Sequence, residues 1–299
     1  MQPKAQSAME YLITYGWAIL IIAIVLAAFF GLGVFNSNTY SPKAPPGSCS
    51  VYRPEGSGST RYLGTEGVCS GAEPEYVAYF KGGGPGSAYS SNSYITANAS
   101  AMAGANVPFT LTMWVYTSSS AQNNNMDIFG MQSYQAFELF RCGFGTYNCQ
   151  LGLHRCTSAD TWAYISPIMS LNRWYFVAVA VDDPNYYFQL NGNSTTDTNS
   201  NGYNNNANLV IGAQTEQCDG EAFAGYISNV QIYNSALSAN QIQQLYAEGI
   251  GGVPVVLSSL VGWWPLNGNT NDYSGNNHNG NAINVTFVGN WENGYSAPS

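Results

Sequence analysis

FAGYISNVQIYNSALSANQIQQLY, residues 223–246, is the stretch from which the fold is read. Its first half is rich in Phe, Tyr, Ile and Val, residues that suit the pleated, half-buried surface of a β-strand. Its second half carries a helix start signal. Ser238 and Gln241 stand at capping-box spacing, where each side chain satisfies the other's free backbone N–H. A short helix is expected from Ala239 to Glu248, closed by Gly249, which accepts the left-handed conformation of a helix C-terminus.

Working back from this stretch, short apolar runs alternate with turns. YVAYF (76–80) is followed by a Gly-rich break. In PFTLTMWVYT (108–117), Phe109, Leu111, Met113 and Val115 alternate with Thr110, Thr112, Trp114 and Tyr116. DIFGM (127–131) comes next, then AFELFRC (136–142) and CQLGLHRC (149–156), which suggest a hairpin. RWYFVAVAVDD (173–183) is apolar on both faces, which predicts a central strand with Trp174 in the core, as Trp114 is in its own strand. YYFQLNGNS (186–194) contains Asn191-Gly192, a type I′ turn signal. ANLVIGA (207–213) completes the series. Many short strands with turns between them imply a sandwich or jelly roll.

These segments together resemble the laminin-G-like, concanavalin A-like jelly rolls, with residues 223–246 the most specific part. The resemblance implies one antiparallel head over residues 76–291. Its usual first strand, of the form LVGWWPLNGN…DYSGNNHNG, occurs last here, at 260–280. The head is therefore expected to be circularly permuted, with its first strand supplied from 260–290 and residues 249–259 as the joining loop. Close chain ends make permutation tolerable. Donation of this strand to a neighbouring chain and a truncated second repeat are the alternatives.

The other decisive stretch is QSAMEYLITYGWAILIIAIVLAAFFGLGVF (6–35). Apart from Glu10 it is uncharged, and about 25 uncharged residues suffice for a helix across a hydrocarbon core. A carboxylate at the lip of an apolar helix is costly and calls for a partner. Lys4 to Glu10 resembles the processing site of archaeal type IV pilin precursors, the class III signal peptide. That resemblance implies a leader (1–5), cleavage by a prepilin-type peptidase between Ala5 and Gln6, and a filament-core helix over 6–35. Glu10 would then pair with the new Gln6 amine of a neighbouring copy, offsetting the desolvation of each charge. Ala23, Ala27 and Gly31 recur every four residues, a small-residue stripe that lets helices approach closely. The fold class expected for the whole chain is α+β, a long apolar helix followed by a mainly antiparallel sandwich.

Between helix and head, residues 36–75 are Pro-, Gly- and Ser-rich and suggest a connector with a disulfide loop. The six cysteines, in a chain that presents its bulk outside the membrane, suggest disulfides. The expected pairs are Cys49–Cys69, Cys142–Cys149 and Cys156–Cys218; the spacing offers no zinc motif. Charged residues are only 8% and the net charge is −9, which speaks against nucleic acid, a ligand that needs a basic footprint. The polarity comes from Asn, Ser, Thr, Gly and 22 Tyr, which suits an extracellular surface. Sequons at Asn98, Asn193 and Asn284 are glycosylation candidates.

Three chemistries were weighed. Retaining glycosidases need two carboxylates close together. The acidic cluster Glu216, Asp219 and Glu221 does not present three carboxylates on one strand face, and His154 and His278 have no evident nucleophile partner, so no catalytic residue is assigned. The oxygen-rich loop from Asn267 to Asn276 suggests a structural calcium site with Asp272 as ligand, helped by Asn267 and Asn276. Tyr147, Trp162 and Tyr164 supply aromatic surface for surface glycans. The expectation is a subunit of an extracellular, pilus-like adhesive filament. It is inserted in the membrane as a precursor, then packed against copies of itself with a lectin-like head outward. An uncut, membrane-anchored carbohydrate-binding protein is the alternative, and a polysaccharide-acting enzyme a further one.

Overall fold

The computed structural model describes residues 4–32, 34, 42–82, 93–102, 104–105, 107–118, 126–131, 135–139, 150–155, 161–164, 169–198, 204–205, 208–213 and 222–298. The chain divides into two compact units, Met1–Ser41 and Pro42–Ser299.

In the first unit the backbone is helical from Lys4 to Gly31, 28 residues, or about 42 Å. Its side chains are described at residue 13 and from Tyr15 onward. Over the described residues no helix is long and apolar enough to cross a membrane. The structure thus gives a helix over 4–31 where a 6–35 apolar span was expected, and the span is not shown. Large apolar groups are exposed all around this helix, from Ile13 at 58% to Phe30 at 70%.

The second unit is a sandwich of two antiparallel sheets. Among the described residues, one sheet runs Asn193–Thr198, Asn185–Leu190, Trp174–Asp182, Phe109–Tyr116, Ala224–Tyr233, Val77–Lys81, Thr286–Val288. Leu260–Trp264 also pairs with Ala224–Tyr233, opposite residues 230–233, while Val77–Lys81 takes residues 224–227 of the same strand. The other sheet runs Thr161–Tyr164, Leu151–Arg155, Gln135–Leu139, Met126–Met131, Asn208–Ile211, Tyr94–Asn98, Asn281–Ile283. Residues 260–264 therefore join the sheet of their own chain.

The alternation in Phe109–Tyr116 sets the layers. Leu111 and Met113 lie opposite Val179 and Val177. They meet Ile95, Ile128, Leu209 and Ile211 of the second sheet in the main core. The polar-side partners Thr110, Thr112, Trp114 and Tyr116 are buried too. The reason is a second apolar cluster on the outer face, where Trp114 and Phe176 pack with Ile242 and Leu245 of the helix Ala239–Ala247. That helix starts at Ser238 with the capping box in place. The hairpin turn at Asn191-Gly192 has positive φ at both residues, 45° and 81°, as a type I′ turn requires.

The segment expected to be a connector departs from that reading. From Pro42 onward it belongs to the head. Cys49–Tyr52 pairs antiparallel with Gly64–Gly67, and Lys43–Ala44 pairs parallel with Glu73–Pro74. Cys49 and Val51 are buried in the second cluster, and that burial is what ties the segment down. The Cys49–Cys69 disulfide is formed. Cys142, Cys149, Cys156 and Cys218 lie outside the described residues.

The C-terminal segment closes the sandwich. Asn281–Ile283 edges one sheet and Thr286–Val288 edges the other, joined through Asn284 with φ 53°. Beyond them the Trp291 ring stands edge-on to Trp174 at 5.9 Å and near Tyr295 at 5.5 Å. Trp291 Nε1 donates to Pro74 O, and Trp174 Nε1 donates to Trp291 O.

Candidate glycan cleft

The Asp272 loop is rich in oxygen because it must knot itself. The Asp272 side chain is fully buried. Its Oδ1 accepts from Trp263 N at 2.9 Å and Ser274 N at 2.8 Å. Its Oδ2 accepts from Ser274 Oγ at 2.8 Å and His278 N at 2.9 Å. A carboxylate offers about four acceptor sites, so this one is saturated. Asn267 accepts from Tyr76 N and donates to Ala44 O. Asn276 accepts from Gly58 N and donates to Leu260 O and Val261 O. The three expected calcium ligands thus serve different backbone partners, and each Asp272 oxygen already takes two donors. The geometry supports a loop lock in place of the expected ligand set.

Arg53 fastens the disulfide-closed hairpin to this loop. Its guanidinium donates to Ser274 O at 2.7 Å, to Leu260 O at 3.1 Å and to Ser59 O. Burial disfavours the charged form of Arg53, and the nearby Asp272 opposes that effect. His278 Nδ1 lies 2.9 Å from Val261 O, a hydrogen bond in which the ring donates.

Between hairpin and loop lies a polar cleft of 250 Å³. Ser57, Gly58 and Thr60 form one wall, and Ser258 to Val261 with Asn276 and His278 form the other. Ser100 and Asn234 complete its rim. Ser259 Oγ is buried without a hydrogen-bond partner among the described residues. A smaller cavity of 40 Å³ sits under the disulfide against Asn229 and Trp263. There Asn229 Oδ1 accepts from Trp263 Nε1 and Gln231 Nε2, and Tyr233 donates to Gln231 at 2.6 Å.

The sequence-expected aromatics are elsewhere. Trp162 and Tyr164 occupy the edge strand Thr161–Tyr164, opposite His154 and Gly152. Tyr147 and the cluster Glu216, Asp219 and Glu221 lie outside the described residues. An aromatic row not read from the sequence crosses the outer face in register. Tyr79, Tyr226, Tyr116 and Trp174 sit side by side on four strands, with neighbouring centroids 5.2, 5.4 and 5.7 Å apart. The sequons at Asn98, Asn193 and Asn284 all place exposed asparagines at strand ends or turns.

Sequence reasoning marked Asn276, and noted His278 only as a turn or surface residue. It missed Arg53, Asn234 and Ser259, which are far apart in the chain. A signal did exist for Arg53: it is one of only 8 basic residues and sits in a Gly/Ser-rich hairpin.

A two-sheet sandwich with one short outer helix defines a lectin-like class of fold. The chain belongs to the concanavalin A-like lectin/glucanases superfamily, whose Laminin_G_3 family matches residues 89–243, just over half of its length. No curated protein matches the chain. A candidate carbohydrate binding protein from Bacteroides ovatus ATCC 8483 has a similar structure, with TM-score 0.56 at 18% identity, covering 76% of this chain and 67% of that one. The native heptameric SAP-like pentraxin from Limulus polyphemus gives 0.51 at 16% identity, covering 72% and 95%. At such identities the likeness is one of fold.

Proposed function

We propose that this chain is a carbohydrate-binding subunit of a surface filament, with a lectin-like head for glycans and an apolar helix for assembly. The observation that carries the reading is the helix Lys4–Gly31, which exposes apolar groups on every side. Such a surface has to be covered by lipid, by other helices, or by each in turn. A Cβ added at Gly31 would meet nothing within 4 Å, and Ala23 and Ala27 are exposed, so the small-residue stripe is open for close helix packing. The pilin-like processing site supplies the sequence of events. The precursor waits in the membrane, a prepilin-type peptidase removes residues 1–5, and Glu10 pairs with the freed amine of a neighbour. A repeated heterologous contact then gives an open helical fibre outside the cell. Membership of a lectin and glucanase superfamily supports the glycan half of the reading. Binding is favoured over turnover because no carboxylate is among the described residues that line the cleft. The exposed sequons are open to glycosylation.

N-terminal sequencing of the native protein tests the reading. A start at Gln6, with Glu10→Ala giving a stable head and no fibres, is the expected result. A chain that keeps Met1 and stays solitary in the bilayer would make it an anchored carbohydrate-binding protein instead. Fibres of normal length from the Glu10→Ala variant would remove the proposed pairing.

A further inference from the structure

We propose that the cleft between the disulfide-closed hairpin and the Asp272 loop is the glycan site, and that it takes an uncharged sugar end. This rests on the carbohydrate-binding reading above and adds where the ligand sits and of what class it is.

The two main walls of the cleft come from residues 53–60 and 258–278, both outside the matched stretch 89–243. Only the rim residues around 100 and 234 come from within it. The walls are also held in place. Cys49–Cys69 closes the hairpin, Arg53 ties it to the opposite wall through Ser274 O and Leu260 O, and Asp272 locks the loop internally. A hydrogen-bonding site with fixed walls spends little free energy on ordering when ligand arrives.

The chemistry of the lining selects the ligand. Hydroxyls from Ser57 and Thr60 and the amide of Asn234 both donate and accept, as sugar hydroxyls do. The one cation, Arg53, already donates to three backbone oxygens and faces the charge of Asp272. Among the described lining residues no other Lys or Arg is left to hold a carboxylate or sulfate, and the chain's net charge of −9 repels anions at long range. A volume of 250 Å³ suits the end of a glycan, about one or two rings. The described lining has no Phe, Tyr or Trp ring to stack on a sugar face. Single-site affinity is therefore weak, and a fibre carrying many heads restores it through multivalency.

The test uses the detergent-solubilised full chain on an array of glycans with neutral hexose, N-acetylhexosamine, sialic acid or uronic acid ends. Asn234→Trp and Ser57→Trp place bulk at exposed rim and wall positions, and thermal unfolding checks that both variants fold. Tyr79→Ala disrupts the aromatic row instead. The expected result is binding to neutral ends, lowered about tenfold or more by each cleft variant and unchanged by Tyr79→Ala. Neutral binding that survives both tryptophans overturns the cleft while leaving the carbohydrate-binding reading intact. Binding confined to acidic ends overturns the ligand class. Binding to no glycan overturns both readings.

Discussion

Asp272 shows how one side chain can imitate a metal ligand. In sequence, a carboxylate among asparagines and glycines looks the same whether its oxygens face a cation or backbone amides. Here they face Trp263 N, Ser274 N, Ser274 Oγ and His278 N. Replacing it leaves those donors buried and unmatched, so Asp272→Ala is expected to cost about 3–5 kcal/mol, read as a lower thermal midpoint. Added calcium or EDTA should leave the wild-type midpoint unchanged, and a calcium-dependent rise would restore the ligand reading. Glu73 presents a different problem. Its Oε2 is buried without a partner, and burial raises its pKa although Lys43 pulls the other way. The folded state thus holds this proton more tightly than the unfolded chain. The associated stability is fully present below the unfolded carboxyl pKa of about 4.3 and fades as pH rises through the raised folded value. Glu73→Gln should therefore unfold at a higher temperature than wild type at neutral pH, with the gap closing in acid. A gap independent of pH would exclude titration as the cause.

Among the elements, those with local signals were legible. The capping box at Ser238, the type I′ turn at Asn191 and the both-face burial of Trp174–Asp182 follow from residues a few positions apart. Elements whose partners are distant were not. The strand Cys49–Tyr52 looks like part of a Pro- and Gly-rich linker, yet it buries Cys49 and Val51 against the outer face. The tail around Trp291 and Tyr295 has no periodicity at all; it earns its place through ring contacts with Trp174 and Trp114. Tyr295 also accepts from Ile250 N at 3.0 Å, and burial pushes its phenol up to about 12. Its stabilising contribution is complete below pH 10 and is lost as pH rises toward 12, a difference of roughly 2–3 kcal/mol. Alkaline unfolding compared between wild type and Tyr295→Phe should show wild type losing more stability over that window. Parallel curves would place the sensitivity in other tyrosines.

At the scale of the molecule, the sandwich was foreseeable. Periodicity and long uncharged runs are properties of composition along the chain. The cleft was not foreseeable, because Arg53, Asn234, Ser259 and Asn276 meet only after two distant segments have docked on the sheets. Val77–Lys81 lies between Ala224–Tyr233 and Thr286–Val288, strands that the ribosome delivers much later. At about 5–20 residues per second, the early strand waits on the order of ten seconds for its neighbours. During synthesis the head must therefore stay open-sided, with the edge of Val77–Lys81 uncovered, until these late strands have been made.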